Sequence, residues 1–218
     1  MKKVLLALAA TASLAACNST KPEQKPAPQA QQQVLPPFVF TKDVQGAQQV
    51  GKGKVGYRFI LLQPNSNQIA ANQPFALTYA GGKLPFVTDD TNVYRGVTDA
   101  RGMTPVFVFE GNVNQQGFVL LPRVGEGNTG GFVTLSNNQK EARRGMPYSM
   151  AVCGSKPYLF SNVTNSVGQT AYVAFNKGTK VQLLPYTNDE AQRKQQLAQV
   201  CPPAAQKAAA GAKKAKAK

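Results

Sequence analysis

With 218 residues, 25 Lys/Arg against 10 Asp/Glu and no histidine at all, the chain lacks the residue that Ser-His-Asp triads, Cys-His dyads and imidazole zinc sites require. The formal charge of +15 is uneven: residues 18–49 carry +1, residues 50–190 carry +5, and residues 191–218 carry +7 with no acid among them. That is a basic tail on a mildly basic body, and no aromatic residue follows Tyr186, so nucleic acid is not an expected partner.

The chain opens with Lys2 and Lys3, then an apolar stretch from Val4 to Leu14. About eleven residues are too few to span a bilayer as a helix, and the pattern reads as the n- and h-regions of a signal peptide over residues 1–16. Its end, Leu14-Ala15-Ala16-Cys17, resembles the bacterial lipobox. That resemblance implies that the Cys17 thiol receives a diacylglyceryl group, that the peptide is cut before it, and that the new amine is acylated by a palmitate-type chain. The membrane is then a partner through lipid, each buried CH₂ contributing about 0.8 kcal/mol. The residue after Cys17 is Asn18 and not the Asp that marks inner-membrane retention in enterobacterial lipoproteins, and by that resemblance the outer membrane of the cell envelope is the expected location. Residues 17–49 are rich in Gln and Pro and read as a tether. Within them Phe38-Val39-Phe40 is either a short strand added to the body or an apolar patch of the tether.

From residue 50 to 186, short runs of Val, Ile, Phe and Tyr alternate with Gly, Asn and Pro, which is strand-and-turn punctuation without helical periodicity. Strands are predicted at 55–62, 74–80, 92–97, 104–109 and 117–122, then at 131–135, 147–153, 158–163, 170–175 and 180–185. The two series form an internal repeat. Phe59-Ile60-Leu61-Leu62 matches Phe132-Val133-Thr134-Leu135, and Pro74-Phe75-Ala76-Leu77 matches Pro147-Tyr148-Ser149-Met150, both at an offset of 73. Residues 97–104 match 163–170 at 66, as Phe109 matches Phe175, and Leu120-Leu121-Pro122 matches Leu183-Leu184-Pro185 at 63. The second series therefore has shorter loops. The repeated turn is built from Asp99 and Gly102 in one copy and Asn165 and Gly168 in the other: the Asx side chain bonds backbone two residues on, and the glycine supplies a positive φ. Asp in one copy and Asn in the other suits a turn and does not suit a catalytic carboxylate.

The segment Tyr94-Arg95-Gly96-Val97-Thr98-Asp99-Ala100-Arg101-Gly102-Met103-Thr104 resembles the Gly-x-Thr-Asp-x-x-Gly-x-Thr turn of prealbumin-like (transthyretin-like) and related Ig-like bacterial modules. The resemblance covers about 75 residues of the first series and implies an all-β chain of two tandem small β-sandwich repeats, 50–124 and 125–186. It speaks to fold and says little about function. Such modules occur in pilin subunits, secretion-system spike proteins and lipoproteins. The second copy departs from the pattern, with Asn162 before Val163 and Asn165 for Asp, and no Lys–Asn–Glu isopeptide set is evident.

Thr187-x-x-Glu190 is a capping-box signature opening a short polar helix within residues 187–203, halted by Pro202-Pro203. Lipidation consumes Cys17, leaving Cys153 and Cys201, an even number in an oxidising location, and these are expected to form a disulfide that staples the helix to the second repeat. Closing that loop stabilises by about 4 kcal/mol in the chain-entropy model. Residues 204–218 form an Ala/Lys-rich tail.

Chemistry-bearing motifs are sparse, and neither cofactor nor metal is expected. The acidic cluster Asp89-Asp90-Thr91-Asn92 lacks the ligand number and glycine spacing of a calcium loop, and Gly51-Lys52-Gly53-Lys54 lacks those of a phosphate loop. Arg143 and Arg144 read either as a solvated loop or as contacts to an anionic partner, and the tail lysines Lys207, Lys213, Lys214, Lys216 and Lys218 either as a solubilising tail or as such contacts. The sequence thus points to a non-enzymatic, lipid-anchored envelope protein that binds or scaffolds a protein or cell-wall partner. A peptidoglycan tether through the basic tail, or an accessory of a secretion machine, are the alternatives.

Overall fold

The structure, a computed structural model, describes residues 37–41 and 47–202, all within one compact unit that spans 34–218. Cys17 and the five tail lysines lie outside the described residues. The fold is all-β, with one short helix. Its strands are β1 (Phe38–Thr41), β2 (Gln49–Gly51), β3 (Val55–Leu61), β4 (Pro74–Tyr79), β5 (Tyr94–Val97), β6 (Val106–Phe109), β7 (Phe118–Val124), β8 (Thr129–Gly131), β9 (Pro147–Cys153), β10 (Tyr158–Val163), β11 (Tyr172–Phe175) and β12 (Lys180–Leu184). Helix α1 (Glu190–Val200) follows. The strands form sheets ordered β1-β3-β6-β2, β5-β4-β7-β11-β8 and β10-β9-β12.

Period-two alternation places the core. Tyr57, Phe59 and Leu61 of β3 meet Phe107 and Phe109 of β6, Phe75 and Leu77 of β4, and Phe118 and Leu120 of β7 in one buried cluster. A smaller cluster of Tyr148, Met150, Val152 and Val173 fills the space between β9 and β11, with Phe160, Phe175 and Val181 against it.

The ladders recur. In the first half Val55↔Phe109, Gly56↔Val108 and Tyr57↔Phe107 pair antiparallel; in the second, Thr129↔Phe175, Gly130↔Ala174 and Gly131↔Val173 do. The parallel pairs Gln49↔Val106 and Val50↔Phe107 return as Arg123↔Tyr172 and Val124↔Val173. Likewise Pro74↔Val97 returns as Pro147↔Val163, and Leu77↔Leu120 as Met150↔Leu183. Strand β7 serves both halves: Phe118 to Pro122 pair with β4, and Arg123 and Val124 pair with β11, so one sheet carries strands of both.

Several sequence expectations change in detail. The first matched block is one residue out, because Leu61 N–H donates to Gly102 O and it is Leu135 N–H that donates to Gly168 O, an offset of 74. Strand β8 ends at Gly131 instead of covering 131–135, because the partner of Val133 N–H is a side chain, Thr170 Oγ1. Strands β1 and β2 lie partly within the segment read as tether, so ordered structure reaches upstream to Phe38. The helix is capped by Asp189, whose Oδ1 accepts from Gln192 N–H at 2.9 Å, while Thr187 Oγ1 accepts from Asp189 N–H one step earlier. Among the described residues no helix is long and apolar enough to cross a membrane.

Candidate functional site

The repeated turn is the same device twice. Asp99 Oδ1 accepts from the N–H groups of Arg101 and Met103, both at 2.8 Å; Asn165 Oδ1 accepts from those of Val167 and Gln169, at 3.1 and 2.9 Å. Gly102 and Gly168 sit at φ +69° and +75°. The threonines on either side do as much. Thr104 Oγ1 accepts from Phe59 N–H and Thr170 Oγ1 from Val133 N–H, while Thr98 Oγ1 donates to Ala70 O and Thr164 Oγ1 to Arg143 O. All four are buried, so every hydroxyl has to be satisfied inside the fold.

One interaction is not duplicated. Arg58, 4% exposed, donates from Nε to Thr104 O at 2.6 Å and from Nη2 to Asp99 Oδ2 at 2.8 Å. Partial burial pushes the Asp99 carboxyl up. The Met103 and Arg101 amides and the Arg58 guanidinium outweigh it and hold the group below the usual carboxylate range. By the ladder offset, the second half has Phe132 where the first has Arg58, and Asn165 where the first has Asp99. Cation and anion disappear together, which leaves no buried charge unpaired.

The halves differ most at one sheet edge. In the first half β1 lies antiparallel on β3, with Val39↔Ile60 and Thr41↔Arg58 in register and the Phe38 and Phe40 rings each 5.4 Å from that of Phe59. The corresponding stretch of the second half is Phe132-Val133-Thr134-Leu135. Val133 and Leu135 donate inward to Thr170 Oγ1 and Gly168 O. Phe132 and Thr134 therefore present their N–H and C=O groups outward, and among the described residues nothing pairs with them. Val133 is 42% exposed where Phe59 is fully covered.

A cleft of about 440 Å³ opens in the second half, lined among others by Gly125, Glu126, Val152, Gly154, Tyr158 and Phe175. The Tyr158 hydroxyl is buried there without a hydrogen-bond partner. Burial first and the Glu126 charge second push that phenol above its ordinary range, so it stays a neutral donor.

Of the residues picked from sequence, Cys153 and Cys201 form a disulfide that pins the end of α1 to β9. Arg143 and Arg144 are exposed on the loop before β9; Arg143 N–H donates to Leu135 O, and among the described residues neither guanidinium pairs with a carboxylate. Asp89 is engaged locally, its Oδ1 accepting from Thr91 and its Oδ2 lying 3.5 Å from Arg95. Among the described residues no group of three or more His, Cys, Asp or Glu is placed to hold a metal. Sequence reasoning missed Arg58, the bare edge and the cleft; the shrinking offset between the series, which marks a shorter loop between β9 and β10, was the signal that pointed to the cleft. Compared with protein-family models, curated proteins and solved structures, the chain matches none.

Proposed function

We propose that this chain is a lipid-anchored lipoprotein of the bacterial cell envelope, attached through Cys17 at the outer membrane and held off it by the Gln/Pro-rich tether. Its body is two tandem transthyretin/Ig-like β-sandwich repeats. The second is a non-enzymatic binding or scaffolding module. The recurrence of ladder registers supports the repeat reading. The observation that carries the binding reading is the bare edge Phe132–Leu135, whose counterpart on β3 is occupied by β1. An uncovered extended stretch with outward N–H and C=O groups accepts an extended segment by β-augmentation.

Two measurements test this reading. Labelled palmitate is incorporated by the wild-type chain and not by Cys17→Ser. Thr134→Pro removes one outward N–H that the fold does not use, and abolishes capture of the envelope partner while leaving thermal stability within about 0.5 kcal/mol. Capture unchanged by Thr134→Pro and lost on deletion of residues 204–218, with steep salt dependence, would instead favour a cell-wall tether through the lysine tail.

A further inference from the structure

The cleft occupies the place where the first half buries aromatic rings of its own. In the first half the Tyr79 ring lies 4.7 Å from that of Phe118 and covers Gly81 and Gly117: a Cβ at either glycine would come within 2.6 Å of it. The ladder offsets put Val152 at the position of Tyr79, Val181 at that of Phe118 and Gly154 at that of Gly81. A Cβ at Gly154 would meet nothing within 4 Å. A second plug is reduced as well. The first half carries Leu84 and Phe86 on the loop between β4 and β5, with Phe86 against Gly51 and stacked 5.1 Å from Phe107. The loop between β9 and β10 is ten residues shorter, has no counterpart of Leu84, and fills the space over Gly125 with the tip of Tyr158 alone.

We propose that this cleft is a docking site for an aromatic side chain on an acidic polypeptide partner, seated where the Tyr79 ring sits in the first half. The occupant is aromatic because the smaller Val152 stands where the first half has the Tyr79 ring, and the space over Gly154 that such a ring would cover is open. It is carried on a polypeptide because the corresponding space in the first half is filled by side chains of the chain itself. Acidic flanks suit a body that carries +5 over residues 50–190 and whose cleft rim bears Lys156, with Lys177 next to the lining residue Asn176, against the single lining carboxylate Glu126. The unpartnered Tyr158 hydroxyl supplies one hydrogen bond that orients the ring or its backbone. This inference rests on reading the second half as the binding half and names the chemistry of its partner.

The test uses the full chain with Cys17→Ser, observed by amide and methyl NMR. It is titrated with a blocked peptide Asp-Gly-Phe-Gly-Asp, with the same peptide carrying Ala for Phe, and with p-cresol. The Phe peptide is expected to shift Val152, Gly154, Tyr158 and Phe175 with a Kd on the order of 1 mM, the Ala peptide at least about tenfold more weakly. Val152→Tyr restores the ring from within, and Gly154→Trp covers the cleft from an open position with unstrained backbone. Each abolishes the shifts, and retained amide spectra elsewhere show that the variants fold. Shifts with p-cresol but none with the Phe peptide would overturn the proposal in favour of a small-molecule pocket. Absence of shifts with both, or binding that survives both variants, would overturn it outright. The palmitate and Thr134→Pro results do not depend on this cleft, so failure here leaves the reading of the chain as a binding lipoprotein to stand or fall on its own.

Discussion

The two halves share a strand plan and a turn but not a core. Around β3 and β6 the first half stacks Phe59 against Phe38, Phe40, Phe107 and Phe118, with ring centroids 5.0 to 6.0 Å apart. At the positions that correspond to Tyr57, Phe59, Tyr79, Phe107 and Phe118, the second half has Gly131, Val133, Val152, Val173 and Val181. Rings bury more area per residue than any other side chains and dominate the packing of a small β-sheet core. The half that lost them shows an exposed Val133, a bare edge and a cleft, and it alone carries a disulfide. The comparison teaches that the backbone ladder and the turn suffice to specify the strand plan, whereas closure of a half depends on how many large side chains fill it.

The sharpest way to break this comparison is a matched pair of truncations. Phe59→Ala is expected to destabilise by about 3–5 kcal/mol in urea unfolding, because it opens a cavity among four rings, and Val133→Ala by less than about 1 kcal/mol, since that side chain is already exposed. Equal losses would mean that the halves are equally well packed. Next in size, replacing both Cys153 and Cys201 by Ser is expected to cost about 2–4 kcal/mol. Amide exchange would rise first at β9 and β12 and leave β3 and β6 protected; uniform loss would show that the shared sheet makes the halves one cooperative unit.

A smaller effect separates the turns. Asp99→Asn keeps the two Asx hydrogen bonds and removes the partner charge of buried Arg58. Because the Asp99 side chain is 38% exposed, solvent takes up part of the change, and a loss of about 1 kcal/mol is expected. Asn165→Asp brings a carboxylate to a site with no guanidinium and gains nothing. The smallest effect is in pH. The folded-state pKa of Asp99 is depressed, so its contribution is fully present above the unfolded value near 3.9 and is lost as pH falls through the lower folded value. Acid melts should therefore show weakening below about pH 4 that Asp99→Asn removes, and no such dependence from Asn165.

How much of this was legible in the sequence varies by element. Strand positions were legible because alternation of Val, Phe and Tyr with Gly and Asn punctuation is a local signal, and the repeated Asx–Gly turn was legible because its hydrogen bonds span only four residues. Strand β2 was not, since Gln49-Val50-Gly51 has no alternation and pairs with Val106 to Val108, far along the chain. Phe38 to Thr41 read equally well as strand or patch, because only the groove against Phe59 and Tyr57 decides between them. Nothing local marked Arg58; its burial depends on Asp99 and Thr104 arriving beside it, 41 and 46 residues later.

Sequence alone determined the all-β class, the turn that is built twice, the short capped helix and the pairing of Cys153 with Cys201, because each follows from local hydrogen bonding, periodicity or a parity of cysteines. Tertiary structure decided the rest: that β7 runs from one half into the other, that the edge of β3 is covered while its counterpart is bare among the described residues, and that a cleft opens beside Val152 and Gly154. Those features depend on which distant side chains meet and how much volume they fill, and volume across a sheet is not written in any local pattern.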